Sequence, residues 1–366
     1  MTVAEGIQRP ELIQKPIPNI DFGIFIPSAR NQILANDGEN GIESWKIRTK
    51  EKGAPLTARA ISKVTGVKRR HVSDTYETTL FMAEAAALHI FPQRGNIPVD
   101  TTIVSSTYPI RIAEPNISQA EAVNQELGIT GEAIDFHGAC AGTVEALVHL
   151  WEHQEQYQGK RILLIASEKH TDKVYDLREE GAAQRDPSLS QLLMSDGAVA
   201  MYFIYGQDLT VIAGKVIDLG NPNLIRAPYD RNLLAGNYIE IPEGGIPFWP
   251  KMLQKGDEVS ALFEQYIQTH VEELLTAANL HPKDIKLVIP HQPSIILLKK
   301  LRAKFEAIGF SREQFVIDIE DGNFSSASVP KAMEKTIREG LLKKGDIALC
   351  AQLGAGMIIS LAAVQL

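Results

Sequence analysis

Short apolar runs punctuate the chain, and helix-patterned or small-residue stretches separate them. Residues 101–106, 161–166, 284–289 and 346–351 are the clearest of these runs. Runs of four to eight apolar residues predict buried strands, and their alternation with helical stretches predicts an α/β fold with mainly parallel strands. One helix can be bounded at both ends. Ser118 and Glu121 form a capping box that opens a helix over residues 119–127, and Gly128 is its stop. The stretch following Cys140 predicts a helix that is apolar from its start, as a helix held between two sheets should be.

The pattern repeats once. Residues 101–106 are echoed by 284–289, 161–166 by 346–351, and 197–201 by 356–360. The Cys140 junction follows Ile103 by 37 residues, and Asn323 follows Leu287 by 36. Two halves, 1–208 and 209–366, therefore share one strand–helix–strand order, which is a single duplication and not a solenoid. Residues 206–260 fit no sharp pattern, and prolines at 222, 228, 242, 247 and 250 predict an irregular segment. The polar stretch 171–193 is long for a connection, and loops of that length tend to be functional.

Three junctions carry candidate chemistry. Cys140 lies where a strand-like run, Ile134-Asp135-Phe136, ends in small residues and turns into a helix. The helix N-terminus there favours thiolate, the nucleophilic form. The small residues at 138, 139, 141 and 142 leave room for a substrate. His291 ends the run Val288-Ile289-Pro290, and Asn323 stands in a small-residue junction before another helix. Singly, each has a plainer reading: a packed core thiol, a satisfied core histidine, a helix N-cap. Together they fit a nucleophilic-Cys constellation.

These stretches resemble the ketoacyl-acyl-carrier-protein synthase III branch of the thiolase superfamily, over residues 60–366. Ala139-Cys140-Ala141-Gly142, Pro290-His291-Gln292, and Gly322-Asn323 with Ser325, Ala327, Ser328 and Pro330 match its motifs in order. Thr65-Gly66-Val67-Lys68-Arg69-Arg70, Glu77-Thr78-Thr79, Ser195-Asp196-Gly197-Ala198 and Gly354-Ala355-Gly356 support the match. The resemblance implies the five-layered αβαβα thiolase fold, with the halves as one interlocked unit. It implies acyl loading on Cys140 and an oxyanion hole from the backbone N–H groups of Cys140 and Gly356. It also implies enolate stabilisation by His291 and Asn323, no cofactor, acyl thioester partners and a homodimer. The segments 171–193 and 206–260 would help wall an acyl tunnel.

Some positions depart from the family pattern. The family's coenzyme-A-associated Trp and Arg fall near Ala60 and Val64, and its Asn and following basic residue fall at Ser294 and Ile296. Lys299, Lys300, Arg302 and Lys304 could dock an acidic carrier protein or form a solvated face. Glu114-Pro115 resembles a Glu-Pro motif of enzymes that join two acyl chains, such as the head-to-head olefin-pathway and dialkylresorcinol- or cyclohexanedione-forming ketosynthases. In those the Glu crosses the dimer to act as base; the other reading is a solvated Glu ahead of a helix.

Composition narrows the alternatives. The 366 residues are 44% hydrophobic and 22% charged, an ordinary globular balance, and the net charge of −8 argues against a nucleic-acid partner. No apolar run reaches the roughly 20 residues of a membrane span, and no signal peptide is visible. With Cys140 and Cys350 the only cysteines, a disulfide would consume the candidate nucleophile, so a reducing cytoplasm is expected. No spacing resembles a metal site or a dinucleotide fingerprint. An acyltransferase using His291 as base is the alternative to condensation. A degradative thiolase would need a His at Asn323 and a second Cys near Gly354.

Overall fold

Two sheets account for the apolar runs. The computed structural model describes residues 20–27, 31–33, 58–74, 76–107, 117–170, 193–220, 225–226, 253–254 and 256–366. The first sheet contains β1 (Asp21–Phe25), β4 (Thr101–Ser105), β5 (Glu132–Phe136), β6 (Arg161–Glu168) and β7 (Gly197–Ile204), ordered β1-β7-β6-β4-β5. Here β4 runs parallel to β5 and β6, while β7 is antiparallel to both β6 and β1. Between β1 and β4 in sequence, β2 (Asn31–Ile33) and β3 (Arg69–His71) form a separate antiparallel pair. The second sheet contains β8 (Thr210–Asp218), β11 (Leu287–Pro290), β12 (Ile347–Gly354) and β13 (Ile358–Gln365), ordered β11-β12-β13-β8. Two short strands, β9 (Ile225–Arg226) and β10 (Leu253–Gln254), pair apart from it.

The helices fill three layers around these sheets. In chain order the described ones are α1 (Ala58–Thr65), α2 (Thr79–Ile90), α3 (Gln119–Leu127), α4 (Gly142–Glu152), α5 (Gln154–Tyr157), α6 (Gly256–Ala277), α7 (Ile295–Ala307) and α8 (Ser328–Arg338). Helices α2 and α3 cover the outer face of the first sheet, and α6 covers that of the second, with α7 packed on it. Helices α4 and α8 lie between the sheets, in a shared core with Ile103, Leu164, Ile289 and Ala362. That position buries α4 all round from its start: Val144, Ala146, Leu147, Val148 and Leu150 are buried, and so are Thr143 and Glu145. Each such Val or Leu contributes roughly 1.5–3 kcal/mol of burial. The arrangement is the expected αβαβα layering.

The duplication is visible in strand order. β8-β13-β12-β11 repeats β1-β7-β6-β4, and α8 occupies the place of α4. The counterpart of β5 is reduced to a parallel bridge between Val288 and Phe315. The capping box of α3 forms as predicted, with Ser118 and Glu121 exchanging hydrogen bonds and Gly128 in the left-handed conformation at φ 70°. The expectation of an irregular segment from 206 onward is corrected at both ends. Residues 210–218 are strand β8, and α6 begins at 256. Gly214 and Lys215 interrupt the alternation that would have marked the strand. Apart from residues 206–209 and 219–220 and strands β9 and β10, the remainder of that segment, and 171–192, lie outside the described residues.

Candidate active site

Cys140 sits on a single 3-10 turn, Ala139–Ala141, that runs straight into α4. The turn is entered through Ala139 at φ 48°, a left-handed conformation that costs a non-glycine residue roughly 1–2 kcal/mol. The other half does the same: Ser325, at φ 52°, opens the turn Ser325–Ala327 that runs into α8. The shared backbone therefore equates Cys140 with Ser326, and Asn323 with His137. The spacing echo in the sequence sets Cys140 against Asn323. The correction is three residues, because Asn323 precedes its turn and Cys140 lies within it.

The two turns face each other and are tied together. Thr143 Oγ1 donates to the Ser326 carbonyl at 2.8 Å. Gln352, fully buried on β12, accepts from the Val144 N–H at 2.9 Å and donates to the Ser326 carbonyl at 3.0 Å. Ser325 Oγ donates to Cys140 Sγ at 3.0 Å. The small residues beside Cys140 serve this packing and not substrate entry alone. A side chain at 138 would strike Glu145, and one at 142 would strike Ser105.

Burial decides the resting state of the thiol. Cys140 is 7% exposed, and desolvation pushes its thiol up to about 12. The Ser325 hydrogen bond works against this shift, and the nearby Glu168 carboxylate adds to it. Resting Cys140 is a thiol, so the expectation of a standing thiolate from the helix N-terminus is corrected. Cys350 is a buried residue of β12, and both cysteines are free.

Asn323 is oriented by its own loop. Its Oδ1 accepts from the Ser325 N–H at 2.8 Å and from Ser328 Oγ at 3.4 Å, and its amide nitrogen donates to no described residue. Its backbone is pinned on both sides, the N–H on the Leu193 carbonyl and the carbonyl under the Ser195 N–H. His291 leaves β11 with its N–H on the Ala351 carbonyl of β12. The next residue, Gln292, is buried and holds the loop by donating to Pro290 and accepting from the Asp318 N–H. Burial and the neighbouring His170 push His291 down to about 3, so the imidazole is neutral. Its Nδ1 has no hydrogen-bond partner among the described residues.

The sequence motifs left several site residues unassigned. Glu168, the last residue of β6, has no exposed surface. It accepts from the Thr107 N–H, Thr107 Oγ1, the Ser326 N–H and Ser326 Oγ. His170 Nε2 lies 3.5 Å from its Oε2. Asp196 anchors this side by accepting from the His170 N–H and from Ser73. A carboxylate closing the apolar run 161–166, with a His two residues on, was the signal in the sequence that could have found this cluster.

Comparison with known proteins gives the chain's family and supports its fold. Residues 275–366 match the family model for 3-oxoacyl-[acyl-carrier-protein (ACP)] synthase III, C terminal. The beta-ketoacyl-[acyl-carrier-protein] synthase III of Helicobacter pylori (strain Shi470) is 30% identical over 304 residues, which span 81% of this chain and 86% of that protein. The chain belongs to the β-ketoacyl-[acyl-carrier-protein] synthase III family. It is thus a condensing enzyme of the ketosynthase type. Two solved structures show the thiolase fold of this synthase III chain. The Aquifex aeolicus 3-oxoacyl-[acyl-carrier-protein] synthase III has a TM-score of 0.72 at 22% identity, covering 95% of this chain and 99% of its own. Xanthomonas campestris OleA, with bound lauric acid and lauroyl-CoA, has a TM-score of 0.73 at 17% identity, covering 96% and 100%.

The remaining expected positions of this synthase III chain are placed as follows. Gly356, at φ 79°, lies in the turn between β12 and β13. That turn is brought to the Cys140 loop by Gly354, where a side chain would strike the Gly138 carbonyl. On α7, Lys299 is exposed, Lys300 is paired with Glu264 at 2.8 Å, and Arg302 lies 3.6 Å from Glu306. Lys304 is half-buried, and its charge helps hold Glu264 below the usual carboxylate range. Positions 60 and 64 lie on α1. Glu114 lies outside the described residues. Among the described residues no helix is long and apolar enough to cross a membrane.

Proposed function

We propose that this enzyme takes an acyl group from a thioester onto Cys140. It then joins that group by Claisen condensation to a malonyl-type or β-ketoacyl thioester. The observation that carries the reading is the state of His291 and Asn323. A histidine held down at about 3 is neutral at working pH and can donate an N–H without giving up a proton. Asn323 has its carbonyl committed to the Ser325 N–H, which leaves its amide nitrogen as a donor. Two neutral donors suit the thioester oxygen of an extender unit that loses CO2 and becomes an enolate. The enolate carbon then attacks the acyl-Cys140 carbonyl, and the Cys140 sulfur leaves. The backbone N–H groups of Cys140 and Gly356 serve as the oxyanion hole for acyl transfer.

The same histidine argues against simple acyl transfer to an alcohol or amine, since an imidazole so hard to protonate is a poor base. Acyl thioesters on a carrier protein or coenzyme A are the partners, with Lys299, Lys300, Arg302 and Lys304 as the carrier-facing group. OleA was solved with lauroyl-CoA, so a long-chain acyl-CoA is the first donor to try here. The halves 1–208 and 209–366 act as one unit, and the enzyme works as a cytoplasmic homodimer. The test is His291→Ala and Asn323→Ala. Each should slow malonyl decarboxylation on the order of 10²–10³-fold while Cys140 still gains acyl mass. Unchanged decarboxylation in both would overturn the assignment.

A further inference from the structure

A continuous line of hydrogen bonds leads from the Cys140 sulfur to a buried carboxylate. Ser325 Oγ is 3.0 Å from Cys140 Sγ, Thr107 Oγ1 is 2.7 Å from Ser325 Oγ, and Thr107 Oγ1 is 3.0 Å from Glu168 Oε1. Cys140, Ser325, Thr107 and Glu168 are all buried, so water does not compete for these contacts. We infer that Glu168 receives the Cys140 proton through Ser325 and Thr107 as the sulfur attacks. This inference rests on the proposed function only in taking Cys140 as the attacking nucleophile.

The step balances without a further reactant. The proton leaves Sγ for Ser325 Oγ, the Ser325 proton passes to Thr107 Oγ1, and the Thr107 proton passes to Glu168 Oε1. One S–H bond is lost and one carboxyl O–H bond is made; both hydroxyls end as hydroxyls. The negative charge moves from carboxylate to sulfur, and the sulfur spends it on the thioester carbon. The proton returns along the same two hydroxyls to the departing donor sulfur. Glu168 never touches substrate; it positions the proton.

Each bond in the line can point either way. A hydroxyl both donates and accepts, so the chain accommodates thiol with carboxylate or thiolate with carboxylic acid without moving a heavy atom. The buried cluster carries one negative charge in either state, which avoids the cost of a second. Burial raises Glu168 to about 7, so it holds or releases a proton near neutrality, and its own charge is one cause of the raised Cys140 value. Among the described residues, the titratable groups facing it are Cys140, across the two hydroxyls, and His170. Desolvation keeps His170 at about 4, with Asp196 and Arg70 acting on it in opposite senses, so it stays neutral over the relevant range.

The test is the pH profile of Cys140 alkylation by iodoacetamide, read by peptide mass, which needs no knowledge of the natural substrate. The wild-type rate should rise through an inflection near 7 and then level, since thiolate paired with carboxylic acid forms from the singly deprotonated cluster. Thr107→Val should lose the inflection, climb with hydroxide to high pH, and react about 100-fold more slowly at pH 8. Glu168→Gln should behave alike, and Thr107→Ser should restore the inflection. A Thr107→Val protein that is slower at every pH but keeps the inflection, or one identical to wild type, would overturn the relay. If the profile is as stated but no thioester acylates Cys140, the relay stands and the proposed function falls.

Discussion

At Cys140 two effects oppose each other, and burial wins. A helix N-terminus stabilises a nearby anion by roughly 0.3–1 kcal/mol, and by up to about 2 where partly buried. Raising the thiol from 9.0 to about 12 is worth roughly 4 kcal/mol the other way. The residues around Cys140 were legible because their motifs are contiguous in the sequence. The thiol's protonation state was not, because it depends first on burial and then on Ser325 and Glu168, which are distant in sequence and meet Cys140 only in the fold. Glu168 makes a pH-dependent prediction of its own. Its folded value of about 7 lies above its ordinary 4.5, so the native state binds the extra proton between those values. Stability is greatest below the ordinary carboxylate value and falls by roughly 3 kcal/mol as pH rises through 7. Replacing it with Gln removes that dependence. Melting temperatures should therefore shift in favour of Glu168→Gln as pH goes from 5 to 8, and a constant difference would contradict the assignment.

At the scale of elements, the site is a joint between two helix starts and one strand end. Gln352 and Thr143 hold the α4 and α8 turns together, and Gly354 lets the end of β12 lie directly on the Cys140 loop. Gly354→Ala should force the strand end away from Gly138, costing roughly 1–3 kcal/mol and displacing the turn that carries Gly356. Urea denaturation would give the stability loss, and acyl loading of Cys140 would fall with it. An unchanged denaturation midpoint with full loading would show that the close approach is dispensable. The α3 capping box could be read from sequence because its partners lie within one turn. The equivalence of Cys140 with Ser326 could not, because two short 3-10 turns leave no periodicity. Gln352 was equally silent: a buried Gln in a strand reads as a defect until its partners on two other elements are seen.

For the whole molecule, the paired apolar runs revealed the duplication, and the structure shows why they could. Strands buried on both faces need continuous apolar sequence, and the same sheet order in both halves demands the same runs at the same spacing. The β5 equivalent was invisible because in the second half it shrinks to a single bridge. Oligomeric state belongs to this scale as well. A homodimer sharing Glu114 across its two-fold axis predicts a dimeric mass in sedimentation at micromolar concentration. It also predicts that Glu114→Gln gains acyl mass on Cys140 yet yields no condensed product. A monomer with full turnover would contradict that arrangement.

Every step of the proposed condensation depends on acylation of Cys140, so the decisive measurement is intact-protein mass after incubation with lauroyl-CoA and a set of shorter acyl thioesters. The wild-type chain should gain one acyl group that maps to Cys140, and Cys140→Ser should gain none. An acyl group carried on another residue, or none on the wild type from any donor, would contradict the central claim.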